Sequence, residues 1–281
     1  MRLISSLAIA SLLVVLPACN SRTPAPPKSS SSAPETGTAV TPADDSKAPA
    51  PSAAAASAPT GDPGTPITGP KGRLEGVVKF VGDEIPKSTL VSNLTDPQIC
   101  GAEMSKMDIV ISPENRGIRN VLLWLDNVEL PADYKPPTSH LIIDNLKCQF
   151  EPHAAAITVG STVQAKNSDE VYHTTHFYGD LNENPPLPEK GSLSKSYKVR
   201  RPGMMNVKCD KHGWMQAYVL VNKHPFHAVT DLDGNFGIAD IPAGAYTLKI
   251  WHEHFGIQER EVTVTDGETA KFDLTYSNSN G

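Results

Sequence analysis

Aromatic residues are scarce in this chain, 6% of 281 residues, and none precedes Phe80. A stretch with neither aromatics nor a hydrophobic period cannot build a core, so folding is confined to the C-terminal three quarters of the chain. Basic charge is also short: 25 Lys and Arg against 31 Asp and Glu leave a net charge of -6. That balance excludes a nucleic-acid binder that neutralises phosphates with a basic face. Four cysteines are too few for a disulfide scaffold. The apolar run Leu3 to Leu16 is too short for a comfortable transmembrane helix. No long segment keeps a helical period. Proline is what the chain has in excess: 25 residues, about 9% against a usual ~5%, and unevenly spread.

The N-terminus reads as an address. Met1-Arg2 is a short positive start, Leu3 to Leu16 is apolar and uncharged, and Leu16-Pro17-Ala18-Cys19 closes the segment. This is the pattern of a secretory signal. Its end resembles the bacterial lipobox, in which small residues precede a cysteine that becomes lipidated and N-terminal. The other reading is an ordinary signal peptide that contains a cysteine. The resemblance implies a leader over residues 1–18, a lipid on Cys19 and a membrane as partner through that anchor. It places the protein on the periplasmic side of a bacterial membrane. The outer membrane is favoured, because Asn20 is not the Asp that retains such proteins at the inner membrane in enterobacteria. Residues 19–71 are rich in Pro, Ala, Ser, Thr and Gly and read as a disordered tether. Coil of this length has an r.m.s. span of roughly 40 Å.

From Arg73 the texture changes. Leu74 to Val81, Val121 to Leu125, Leu141 to Ile143, Ala156 to Val159, Thr162 to Ala165, Tyr218 to Val221, Tyr246 to Trp251 and Glu261 to Val264 are strand-like. They are short, rich in β-branched or aromatic residues, and bounded by Gly, Pro, Asn or Asp. The expected class is all-β, built from sandwiches or small barrels.

One run carries chemistry. Cys209-Asp210-Lys211-His212-Gly213-Trp214-Met215 reads Cys-x2-His-x2-Met and sits just before the strand Tyr218 to Val221. A thiolate, an imidazole and a thioether on one tight loop suit copper better than zinc. A second imidazole must come from elsewhere, and the run Asn167 to His173 supplies one after another predicted strand.

These residues carry a resemblance. Phe150-Glu151-Pro152, Ile157 to Gly160, Val163, Asn167 and His173 resemble the plastocyanin-type cupredoxin pattern. His173-Thr174-Thr175-His176-Phe177 is similar to the His-Asn-Val-His-Phe run of amicyanins, and the Cys-x2-His-x2-Met spacing is also theirs. The resemblance covers roughly Ser139 to Val221 and implies a Greek-key β-sandwich with one type 1 copper. His173, Cys209 and His212 would be strong ligands and Met215 the long axial one. His176 competes with His173, but strand alternation and the spacing from Asn167 favour His173. Zinc is the next choice of metal, since a Cys-His-His set can hold it. Thr174 departs from the family, where an Asn follows the first His and bonds across to the Cys loop. In the family the C-terminal ligand His lies at the surface as an electron port, here His212 with Trp214; plain core packing is the other reading of Trp214.

If Cys19 carries lipid and Cys209 metal, Cys100 and Cys148 remain. In an oxidising compartment they are either a disulfide, worth around 4 kcal/mol by chain entropy for so long a loop, or two separate buried thiols. Further on, Ala228 to Ile238 and Ile241 to Leu248 resemble the carboxypeptidase regulatory-like, transthyretin-like sandwich, with Asp-Gly and Pro-x-Gly turns between short strands. Residues 224–281 lack its opening strands, and Leu74 to Val81 and Asn120 to Val128, within 72–137, resemble them. Two orders are open: a cupredoxin unit at 138–223 inserted into one sandwich, or two units in tandem. Nesting is favoured. Asp231-x-Asp233-x-Asn235 begins like a calcium loop, but Pro242 stands where the bidentate Glu belongs, so a turn is expected. His252-Glu253-His254 lacks the zinc-protease spacing.

The expected function is a lipid-anchored type 1 copper protein that shuttles single electrons, not an enzyme. By the resemblance its partner is a redox protein such as a c-type cytochrome or a dehydrogenase. The alternatives are copper binding or delivery without redox turnover, and a cell-surface binding module with a vestigial copper site.

Overall fold

The structure is a computed structural model that describes residues 61–278 except 94 and 108. The expected leader, Cys19 and most of the expected tether lie outside the described residues. The end of that stretch, from residue 61 on, is tied down. Asp62 N–H donates to Thr138 Oγ1 (2.9 Å), Thr138 N–H returns to the Asp62 carbonyl (2.8 Å), and Thr65 N–H donates to the Lys135 carbonyl (2.7 Å). A segment with no core of its own is held by backbone bonds to another loop.

The chain enters as β1 (Lys71–Phe80). It then makes a small hairpin, β2 (Leu90–Ser92) and β3 (Glu103–Ser105), around one helical turn, α1 (Pro97–Cys100). It returns as β4 (Leu122–Asp126). Next come β5 (His140–Leu146), β6 (Gln149–Glu151), β7 (Ala154–Thr158), β8 (Thr162–Asn167) and β9 (His173–Thr174). After them run β10 (His176–Tyr178), β11 (Pro186–Leu187), β12 (Tyr197–Lys198), β13 (Gly203–Lys208) and β14 (Gln216–Asn222). The last part holds β15 (His227–Val229), β16 (Asn235–Pro242), β17 (Gly244–His252), β18 (Gly256–Val264), β19 (Thr269–Lys271) and β20 (Leu274–Tyr276).

The fold is all-β. One sheet has the order β16-β1-β19, with β20 also on β1, and a second has β15-β4-β17-β18. Alternation along β1 and β17 turns Leu74, Val78, Phe80, Tyr246, Leu248 and Ile250 inward, and these pack with Phe236, Phe255 and Tyr276 in one core. The strands β1 and β4 thus share sheets with β15 to β20, and β5 to β14 lie between them along the chain. Those middle strands form two further sheets, β10-β13-β14-β7 and β12-β8-β5-β6, around a second core that includes Ile143, Phe150, Val163, Phe177, Val207 and Val219. Two parallel pairings, β5 with β8 and β14 with β7, sit among antiparallel ones.

The two sandwiches share a dry contact. Leu122 on β4 is buried against Ala154 on β7 and Leu220 on β14, so β4 has an apolar residue on each face. Beside them Tyr218 meets Trp251 at 4.8 Å between ring centroids. At the edge, His153 Nε2 bonds Glu253 Oε1, and Gln216 Nε2 donates to Glu253 Oε2 (2.7 Å).

Candidate metal centre

The site lies at one end of the second sandwich, where three chain segments meet. Asn145 and Asn167 face each other in register at the ends of β5 and β8, and both are buried. Asn167 shapes the following turn. Its Nδ2 donates to the carbonyls of Val171 (2.8 Å) and Leu187 (3.1 Å), and its Oδ1 accepts the Asp169 N–H (2.9 Å). That turn delivers His173 to β9. The second segment is the loop between β13 and β14. It is closed by Met215 N–H to the His212 carbonyl (2.9 Å) and by Cys209 N–H to the Met215 carbonyl (3.4 Å).

His173, Cys209 and His212 come together there, each buried, with one ligand atom apiece all within 4.8 Å of one another. Cys209 Sγ is 3.9 Å from His173 Nδ1 and 3.7 Å from His212 Nδ1, and the two Nδ1 atoms are 3.0 Å apart. Metal bonds of about 2.0 Å to nitrogen and 2.3 Å to sulfur, spread in a plane, require donor separations of about 3.5–3.7 Å. The three donors fit one ion of that size, with the two nitrogens somewhat closer. Met215 is buried at the same loop end. The ring of His176 is outside the group: its Nδ1 meets Asp210 Oδ1 at 3.3 Å near the surface.

Both imidazoles are held from behind. His173 Nε2 is 3.1 Å from Asp169 Oδ2, and Asp169 also accepts the N–H groups of Lys147 and Cys148 at 2.7 Å each. His212 Nε2 is 3.2 Å from Asp96 Oδ2. A carboxylate on Nε2 fixes the tautomer that leaves Nδ1 free to bind a metal. Thr174 ties the loops: its Oγ1 accepts the Asp210 N–H (2.9 Å) and lies 3.9 Å from Cys209 Sγ.

The electrostatics favour a thiolate. Burial pushes the Cys209 thiol up, but the neighbouring His173 and His212 imidazoles outweigh it and bring its pKa down to about 5. Burial likewise pushes His173 down, and the bonds to Asp169 and Cys209 reverse this, so its pKa is raised. Metal ligation needs the deprotonated sulfur, and the site already favours it.

Residues 206–280 match the CarboxypepD_reg-like domain. This CarboxypepD_reg-like match takes in about a quarter of the chain. It begins inside β13, so it covers the Cys209 loop as well as β15 to β20 but neither β1 nor β4. Among solved structures, one similar chain is the copper(I) form of an amicyanin variant, at 22% identity, covering 29% of this chain and 81% of that one with a TM-score of 0.25. Another amicyanin variant, in the oxidised state, is 24% identical over the same shares with a TM-score of 0.26. A copper-containing nitrite reductase from Thermus scotoductus SA-01 is 20% identical over 34% of this chain and 25% of its own, with a TM-score of 0.26. No curated protein matches the chain.

Sequence reasoning names the three donors and misses both carboxylates behind them. Asp169 lies inside the run Asn167 to His173, but nothing in the spacing shows that it turns back to His173. Asp96 lies in a stretch with no strand pattern or ligand spacing to mark it. His212 and Trp214, expected at the surface as an electron port, are both buried: His212 is 0% exposed and Trp214 6%. Asp96, just before α1 and more than a hundred residues earlier, lies against His212 Nε2, and Trp214 Nε1 donates to the Cys148 carbonyl. Cys100 and Cys148 form a disulfide. Asp231 Oδ1 accepts the N–H groups of Asp233 (3.0 Å) and Asn235 (2.8 Å), which makes that run a turn. His252 is buried in the first sandwich, with its ring 5.1 Å from that of Phe255.

Proposed function

We propose that the second sandwich binds one copper ion through His173, Cys209 and His212, with Met215 as a weak fourth ligand, and that the protein carries single electrons. The observation that carries the reading is the buried His-Cys-His set with its donor atoms within 4.8 Å of one another. A soft thiolate with two imidazoles and a thioether is a copper set. Copper bound there would supply a one-electron redox couple. The residues around it do the rest. Asp169 and Asp96 orient the rings, Thr174 holds the two loops at fixed spacing, and the apolar second core excludes water. Lipidation at Cys19 would hold the protein on the periplasmic side of a membrane, within reach of a redox partner such as a c-type cytochrome or a dehydrogenase.

The burial of His212 favours one second reading, copper holding without redox turnover. A visible spectrum with copper analysis on the full chain in detergent, beside Cys209→Ser, tests the first. One copper per chain with an intense thiolate-to-copper band, bleached reversibly by reductant and absent in Cys209→Ser, supports electron carriage. Copper bound without reversible reduction supports holding. No copper taken up, or a spectrum unchanged in Cys209→Ser, overturns both.

A further inference from the structure

The hairpin of β2 and β3 leaves the first sandwich between β1 and β4, yet its side chains belong to the second. Val91, Cys100 and Met104 pack on the second core, and the Cys100–Cys148 disulfide fastens α1 to the turn between β5 and β6. The excursion is also closed on itself. Buried Asn93 donates through Nδ2 to the Gly101 carbonyl (2.6 Å) and accepts the Thr95 N–H (2.8 Å). Gln149 Nε2 bonds the Ser105 carbonyl from the second sandwich.

Asp96 begins α1 in the left-handed region, at φ 54°, which Asp tolerates better than most residues. An Asp at this place ordinarily caps the helix with its carboxylate. Here it makes no such bond. Its Oδ2 faces His212 Nε2 at 3.2 Å and Lys211 Nζ at 2.6 Å. Under the same cap, Trp214 Nε1 donates to the Cys148 carbonyl (2.9 Å), and its ring lies 5.0 Å from that of His212. The carboxylate is thus aimed at the imidazole, away from the helix it begins.

We propose that residues 95–101 form a disulfide-fastened cap on the metal centre, in which Asp96 is a positioning residue that holds His212 by Nε2 with Nδ1 toward Cys209. This rests on the copper reading above. By taking the Nε2–H, the carboxylate selects one tautomer and raises the basicity of Nδ1. By covering the ring, the cap removes His212 as a solvent-facing route.

Two readouts on the full chain test it, with Asp96→Ala, Asp96→Asn and Lys211→Met as variants. The first needs no metal: long-range proton–nitrogen NMR reports which nitrogen of His212 carries the proton. The wild type is expected to show Nε2–H, and Asp96→Ala a mixture; an unchanged Nε2–H in Asp96→Ala overturns the proposal. The second uses copper: release to a chelator is expected at least ten-fold faster in Asp96→Ala, with a raised reduction potential, because the oxidised metal loses donor strength. Asp96→Asn keeps the shape without the charge and is expected to fall between, while Lys211→Met matches the wild type. Release within two-fold of wild type and an unmoved potential overturn the role of Asp96. If the wild type takes up no copper, the copper reading falls, and the His212 tautomer alone decides the cap.

Discussion

Thr174 Oγ1 accepts the backbone N–H of Asp210 at 2.9 Å, joining the strand that carries His173 to the loop that carries Cys209 and His212. Thr174 is buried, while Asp210 is exposed, so the bond lies at the rim of the buried site.

Thr174→Val keeps the shape and removes the acceptor. The Asp210 N–H then loses its partner beside a buried site. The expected cost is about 1–3 kcal/mol, read as a lower urea midpoint of the metal-free protein. Thr174→Ser, which keeps the hydroxyl, is expected to recover most of it. Equal midpoints for Val and wild type would remove Thr174 from the account.

The Cys100–Cys148 disulfide closes a separation of 48 residues. Replacing both cysteines with Ala is expected to cost about 4 kcal/mol, with the unfolded chain gaining most of the freedom. Differential scanning calorimetry under non-reducing conditions reads this as a lower Tm. Adding a reductant to the wild type should reproduce the shift, and should leave the double variant unmoved.

Two histidines, His227 on β15 and His224 just before it, predict acid sensitivity. Burial pushes both His224 and His227 down to about 4, and the Nε2 of His227 is buried without a partner. An unfolded histidine titrates near 6.5. Above that pH both states are neutral and the pair costs nothing. As pH falls from about 6.5 to about 4, only the unfolded chain takes up the protons, so stability drops through that window and levels off below it. The loss is on the order of 3 kcal/mol per histidine at most. Urea midpoints from pH 8 to 4 should show it, and His227→Phe should flatten the curve; a His227→Phe curve parallel to wild type would refute the assignment.

Gly76 lies in β1 where the chain passes from β19 to β20. A Cβ built there would meet the Phe272 carbonyl oxygen at 2.0 Å, a backbone atom with little room to move. Gly76→Ala is expected to force β1 and the Phe272 backbone apart, at a cost of about 1–3 kcal/mol. Hydrogen exchange should then show lost protection in β19 and β20 ahead of β17 and β18. Uniform protection would mean that the sheet absorbs the methyl group.

The sequence by itself determined the all-β class and marked the residues that the fold gathers into the His-Cys-His group. All eight strand-like runs became strands, because alternating β-branched and aromatic residues between Gly, Pro and Asn breaks have no other way to bury one face. Cys209, His212 and Met215 shared a loop through their spacing alone, and His173 followed from its distance past Asn167. The shortest strands, such as β9, β11 and β12, were not legible, since two residues carry no period. Two orders of the sandwiches were compatible with the sequence. β4 pairs with β15 and β17, and pairing across more than a hundred residues leaves no local mark. The same reason hid Asp96, whereas Asp169, only four residues from His173, was hidden because the way a turn folds back leaves no spacing to read. Asp96 reaches His212 only because a disulfide and a hairpin carry it from one sandwich to the other, a relation that exists in three dimensions and nowhere along the chain.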